Sequence, residues 1–270
     1  MVQDLPGSHT AGTPPLLGAD DPAPVRVLRP DGHSDFLLTA DHAGQAIPRR
    51  LGTLGLPPAE LDRHIGWDIG IAAVTERLSA SLDATAVFQA YSRLVIDCNR
   101  SPEVESSIPA ISESTEIPGN RGISEAERLA RRHEIFAPYH ARIRSLLDAR
   151  QTTNRRTVVV AMHSFTPVFK GESRAMQVGV LYNRDKRLAH ILLDLLRAEG
   201  NIVIGDNAPY SVSDLTDYTV PIHAERRGLP HVEIEIRQDL IADAPGQASW
   251  AARFARLLPA ADGRLQEAGA

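Results

Sequence analysis

Two rhythms of apolar and polar positions run along the chain. Short runs rich in β-branched and other apolar residues have the length of strands: DFLLTA (35–40), ATAVFQA (84–90), RTVVVAMHSF (156–165), MQVGVLYN (176–183), NIVIGDN (201–207) and HVEIEIR (231–237). RLVIDC (93–98) is a further strand candidate. Between them, apolar residues three and four apart predict amphipathic helices over 66–82, 124–150, 186–200 and 247–261. Ser124 and Glu127 have capping-box spacing at the head of the second helix, Pro138 is expected to kink or divide it, and Gly200 marks the end of the third. Strand–helix alternation without an internal repeat predicts an α/β fold: a single domain whose mostly parallel, mixed sheet has helices on both faces.

Ahead of the first strand, MVQDLPGSHTAGTPPLLGADDPAPV is rich in Pro, Gly, Asp and Ala. It reads as a flexible or loosely packed arm over residues 1–25, leaving 26–270 as one folded domain. It lacks the basic and apolar regions of a secretion signal, and no apolar run nears the roughly 18 residues that span a bilayer. The 270 residues, 43% hydrophobic and 23% charged, suffice for a sizeable core. A net charge of −5 with no basic run gives no nucleic-acid footprint. Cys98 is the single cysteine, which excludes an intrachain disulfide and a Cys-rich zinc finger; a cytoplasmic setting is expected.

In open α/β sheets, sites form outside the carboxyl ends of strands. Three predicted strand ends carry chemistry: His42 in TADHAGQAIP, His163 in VAMHSF and Glu235 in VEIEIR. Two imidazoles and a carboxylate, with water in the fourth position, make a catalytic zinc centre. The carboxylate is sought in Asp41, Asp68 or a glutamate elsewhere; Asp68 begins a helix, where it equally suits an N-cap. In SRLVIDCNR, Arg93, Asn99 and Arg100 suit a substrate carboxylate, and with Asp97 they equally suit a structural Arg–Asp pair. In VEIEIRQDL, Val232, Ile234 and Ile236 share one face and Glu233, Glu235 and Arg237 the other. That is the pattern of a half-exposed strand, and also a place for a general base. Phosphate-loop, dinucleotide-binding, G-x-S-x-G and H-E-x-x-H patterns are absent.

In this order, DHAGQAIP, GWDIG, RLVIDCNR, IPGNRGIS, PYHARI, MHSFTP, GVLYNRD, NAPYS and GLPHVEIEIRQDL resemble the N-formylglutamate amidohydrolase family, within the wider zinc carboxypeptidase and aspartoacylase-like group. The resemblance covers nearly the whole chain beyond the arm. It implies a phosphorylase/hydrolase-like α/β fold and zinc-dependent hydrolysis of an N-acyl amino acid, with N-formylglutamate giving glutamate and formate. It implies one Zn2+ per chain on His42, Asp68 and His163. Gln45 stands where carboxypeptidase-type members carry the glutamate of H-x-x-E, so the middle ligand is assigned to Asp68. Glu235 is implied as the catalytic base, Arg93 as support for the scissile carbonyl, and Asn99, Arg100 and His223 as substrate contacts. Asp41 is expected to fix the His42 ring, and Gly44 to let its loop pass close to the substrate. Two other readings stand beside this one: a zinc amidase or peptidase acting on another N-acyl amino acid or a cell-wall peptide, and a non-catalytic binding protein of the same fold, which Gln45 keeps open.

Overall fold

Val158, Val159 and Val160 open the longest strand of a seven-stranded sheet, and all eight residues of Val158–Phe165 are buried. The computed structural model describes residues 15–269. Its sheet comprises β1 (Val25–Leu28), β2 (Phe36–Ala40), β3 (Thr85–Gln89), β4 (Val158–Phe165), β5 (Val178–Leu181), β6 (Ile204–Asp206) and β7 (His231–Arg237), in the lateral order β1-β3-β2-β4-β7-β5-β6. Strands β3, β2, β4 and β7 run parallel. β1 is antiparallel to β3 at one edge; β5, with its parallel neighbour β6, opposes β7 at the other.

Besides a single α-helical turn at Pro58–Leu61, the helices are α1 (Ile71–Leu82), α2 (Glu125–Arg131), α3 (Ala137–Thr152), α4 (Arg187–Glu199) and α5 (Ala244–Gly269). Side chains on a strand alternate between faces. Leu38, Val160, Met162, Val232, Ile234 and Ile236 therefore pack with α1, α4 and α5. Leu37, Val87 and Val159 pack on the other face with Tyr139, Ile143 and Leu147 of α3. The expected mixed α/β sheet, covered on both faces, is the fold observed. Among the described residues no helix is long and apolar enough to cross a membrane.

Two local expectations need correction. RLVIDC is not a strand. Leu94, Val95, Ile96 and Cys98 are buried, but in a looped segment whose backbone is satisfied without a ladder. The Leu94 carbonyl accepts from Asn120 Nδ2 (2.8 Å) and the Val95 carbonyl from the buried Arg131 (2.9 Å), while the Asp97 N–H donates to Ser107 O (2.7 Å). β7 is not half-exposed either: it lies between β4 and β5, and only Arg237 reaches solvent. The helix of 124–150 has its expected capping box and is interrupted, as expected, at Pro138, where a π-helical turn at Arg132–Phe136 lies just ahead of the proline.

Of the arm expected over residues 1–25, the first fourteen lie outside the described residues. The remainder is docked: Leu16 is buried, the Leu16 and Leu17 N–H groups both donate to Glu134 (2.8 Å each), and Tyr91 Oη donates to Pro22 O (2.6 Å).

Candidate active site

Because β2, β4 and β7 are parallel neighbours, their carboxyl ends open at one edge of the sheet. Glu235 sits beside His163 in the β4–β7 register, and Asp41 and His42 follow directly on β2. The 66–70 turn is pinned below them, since the Asp68 N–H donates to His42 O (2.9 Å). Gly70, at φ +81°, opens α1, and a Cβ there would lie 2.2 Å from Ile241 O. Gly70 is thus the N-cap, and Asp68 is released from capping to face the imidazoles. Gly44 serves the chain and not a ligand: the volume of its missing side chain is filled by the Ala90 carbonyl, 2.0 Å from where a Cβ would stand.

His42, Asp68 and His163 are buried and offer ligand atoms within 4.8 Å of one another. Asp68 Oδ2 lies 2.9 Å from His163 Nδ1 and 3.6 Å from His42 Nδ1, and also accepts from Ser164 N (3.1 Å). The outer nitrogens have carboxylates of their own. His42 Nε2 donates to Asp97 Oδ1 (2.6 Å), and His163 Nε2 is 3.4 Å from Asp41 Oδ2. The expected Asp41–His42 pairing is therefore corrected: Asp97 orients His42, and Asp41, whose Oδ1 accepts from Thr219 Oγ1 (2.9 Å), stands beside His163.

With its proton on Nε2, a neutral His42 turns a lone pair on Nδ1 towards a carboxylate oxygen, and that buried Nδ1 has no hydrogen-bond partner. Two arrangements satisfy these atoms: an added proton on each imidazole, or one cation shared by all three side chains. For the protons, burial works against both rings, and Arg93 also against His42. Asp97 and Asp68 nonetheless raise His42, and Asp41 and Asp68 raise His163, above the usual histidine range. For the cation, two nitrogens and one carboxylate are the donor set of catalytic zinc, and a carboxylate behind each histidine is its usual support. The residues present fit the metal. Gln45 is exposed and takes no part.

A cavity of about 470 Å3 opens over this cluster, and Arg93, Asp97, Asn99, Arg100, Glu233 and Glu235 are among its walls. Arg93 is bound through Nε and Nη2 to Asp97 Oδ2 (3.2 and 2.8 Å), with Nη1 3.5 Å from Asp68 Oδ1. Arg100 donates to Thr216 O (2.7 Å). Asn99 is largely spent on the wall itself: Nδ2 donates to Asp217, and Oδ1 accepts from the N–H groups of Tyr218 and Thr219. Burial pushes the Glu235 carboxyl up to about 7 and Glu233 well above its usual value, and each keeps an Oε2 without a partner.

The sequence profile of the N-formylglutamate amidohydrolase family matches residues 34–242. The chain belongs to this family. A solved gene product from Agrobacterium tumefaciens is 40% identical, with a TM-score of 0.89 over 93% of this chain and 99% of that one. The solved N-formylglutamate amidohydrolase from Ralstonia eutropha JMP134 shares the fold at 20% identity, with a TM-score of 0.64 over 89% of this chain and 97% of that one. No curated protein matches the chain.

Membership of the N-formylglutamate amidohydrolase family makes the chain an amidohydrolase, and the carboxyl-end cluster is its candidate site. His223 is not in its walls. Seated in a π-helical turn (Val220–Ala224), it donates from Nε2 to His140 Nδ1 (2.9 Å), because His140 Nε2 already donates to the Cys98 carbonyl (2.8 Å). Burial lowers His140 to about 4 and His223 to about 3, so the folded protein holds both neutral where the unfolded chain takes up protons. Stability is then complete above the ordinary value of about 6.5 and falls as pH drops below it. At pH 5 the pair is expected to cost about 2 kcal/mol per histidine relative to pH 7.5. Urea unfolding at the two pH values checks this, and a His223→Gln variant should lose part of the slope.

Sequence reasoning passed over Asp97 as the partner of His42, and over His64, Tyr210 and Asp217 in the walls. The signal for Tyr210 was its place in NAPYS, directly after a strand at the carboxyl-end edge.

Proposed function

We propose that this amidohydrolase hydrolyses N-formylglutamate to glutamate and formate, with one zinc ion held by His42, Asp68 and His163. The observation that carries the reading is the convergence of His42 Nδ1, His163 Nδ1 and Asp68 beside the partnerless Glu235 Oε2. A zinc ion bound there supplies Lewis acidity, acidifying water and polarising a carbonyl. The chain's own residues do the rest. Asp97 and Asp41 hold the imidazoles by their outer nitrogens. Glu235 accepts a proton from the attacking water and delivers it to the leaving amine nitrogen, as a carboxyl near 7 is poised to do. Arg93, fixed by Asp97, balances the carboxylates around the scissile amide. Arg100 keeps N–H groups for the substrate's α-carboxylate, and Asn99 keeps the 217–219 wall in place. A cytoplasmic setting accords with Cys98, which is free and buried.

N-Formylglutamate fills on the order of 200 Å3 at the packing density of protein interiors. The larger cavity, about 470 Å3, favours a bulkier N-acyl amino acid as the second reading. The deciding experiment supplies zinc-loaded protein with N-formyl-, N-acetyl- and N-benzoyl-glutamate and follows acid release. Formyl release with the highest kcat/KM supports the first reading, and a benzoyl or acetyl preference supports the second. Folded, zinc-loaded protein inert towards all three overturns both.

A further inference from the structure

We infer that Arg174, with the Tyr210 hydroxyl it supports, reads the side-chain carboxylate of the substrate. The inference rests on the dicarboxylate substrate proposed above. The cavity is lined by six carboxyl-bearing side chains and two arginines, Arg93 and Arg100. Arg93 is bound to Asp97, and Arg100, already donating to Thr216 O, is the cation left for the α-carboxylate. A second substrate carboxylate needs another positive group.

Arg174 supplies it. Its guanidinium lies 4.7 Å from the ring centre of Phe169, 4.9 Å from that of Tyr210 and 5.8 Å from that of Phe165, and all three rings line the cavity. Among the described residues it forms no ion pair. Its one side-chain hydrogen bond runs from Nη1 to Tyr210 Oη (2.9 Å). Arg174 stands behind the lining, its other guanidinium N–H groups make no further hydrogen bond among the described residues, and the Tyr210 hydroxyl, having accepted from Arg174, has its own proton to donate. The group is also held in position. The Arg174 N–H donates to Pro167 O (2.8 Å), and its carbonyl accepts from Arg237 Nη1 (3.1 Å). These anchors tie it to the segment leaving β4 and to the end of β7, the strands that carry His163 and Glu235. Three rings around a guanidinium limit its rotamers, so less freedom is lost when an anion arrives.

The test uses the zinc-loaded Arg174→Met variant, which keeps an apolar stem among the rings and removes the charge. Steady-state rates are measured on N-formyl-L-glutamate and on its neutral isostere N-formyl-L-glutamine, and L-glutamate and L-glutamine binding is measured by calorimetry. The preference for the acidic substrate is expected to fall at least about tenfold, carried by KM and not kcat, as for loss of a charge-assisted pair. The calorimetric preference for glutamate should collapse with it. Tyr210→Phe should move both ratios the same way by less, and it decides the matter if Arg174→Met does not fold. An unchanged glutamate-over-glutamine ratio, or an equal loss on both substrates, overturns the inference. If the wild type hydrolyses neither substrate yet prefers glutamate in calorimetry, and Arg174→Met erases that preference, the subsite stands and the reaction assignment fails. A wild type without any glutamate preference overturns the subsite.

Discussion

The His163→Ala variant is expected to lose bound zinc and hydrolytic activity together. Elemental analysis should drop from about one zinc per chain to near zero, and kcat/KM should fall by at least about 10³-fold, the scale of losing several kcal/mol of Lewis-acid stabilisation. His163 gives up Nδ1, one of the three donors that converge there, while Asp41 stands on its outer nitrogen. Asp68→Ala should behave alike, because its carboxylate stands between both imidazoles. Asp97→Asn is the graded control. It leaves the donor set intact and weakens the partner of His42, so zinc affinity should fall by about 10- to 100-fold. Full zinc occupancy and full activity in His163→Ala would remove the metal assignment. Zinc retained in Asp68→Ala alone would move the middle ligand elsewhere.

These side chains were legible in the sequence to unequal degrees, for physical reasons. His42, His163 and Glu235 could be found because parallel strands deliver their carboxyl ends to one edge, so a polar residue ending an apolar run is informative. Asp68 was legible only as one of two things, cap or ligand; Gly70 removes the first, by taking the cap position at a positive φ. The Asp97–His42 bond joins residues 55 apart, and no spacing rule reaches across two loops. RLVIDC misled because burial, not strand pairing, explains its apolar residues, and the groups that satisfy its carbonyls, Asn120 and Arg131, come from other segments. VEIEIR misled in the opposite sense. Its alternation suggested one face in water, whereas both faces are covered, and the polar face survives burial because it lines a cavity. His223 was drawn towards the pocket by its residue type and removed from it by a hydrogen bond to His140 that is visible only in three dimensions.

Glu235→Gln is expected to separate chemistry from metal binding. Glutamine has the same size and cannot take a proton from water, so zinc content should stay near one per chain while kcat falls by about 10²- to 10⁴-fold, the usual worth of a general base. Glu233→Gln is the comparison, since Glu233 is buried on the same face two residues earlier and burial holds it well above the usual carboxyl range. Glu233 is aligned with Ala161 and not with His163, two residues short of the imidazole that Glu235 flanks, so this variant should retain most of its rate. The wild-type pH profile follows from the same assignment. A base works deprotonated, so activity is present above its pKa and lost as pH falls through it. Burial puts Glu235 at about 7, and a cation in the adjacent triad pulls that value down, so the acid limb of kcat/KM should lie at or below pH 7. It should vanish from the residual rate of Glu235→Gln. If Glu233→Gln loses the rate and the acid limb while Glu235→Gln keeps both, the base is Glu233, and the proton path runs from the residue aligned with Ala161 in β4 instead of the one aligned with His163.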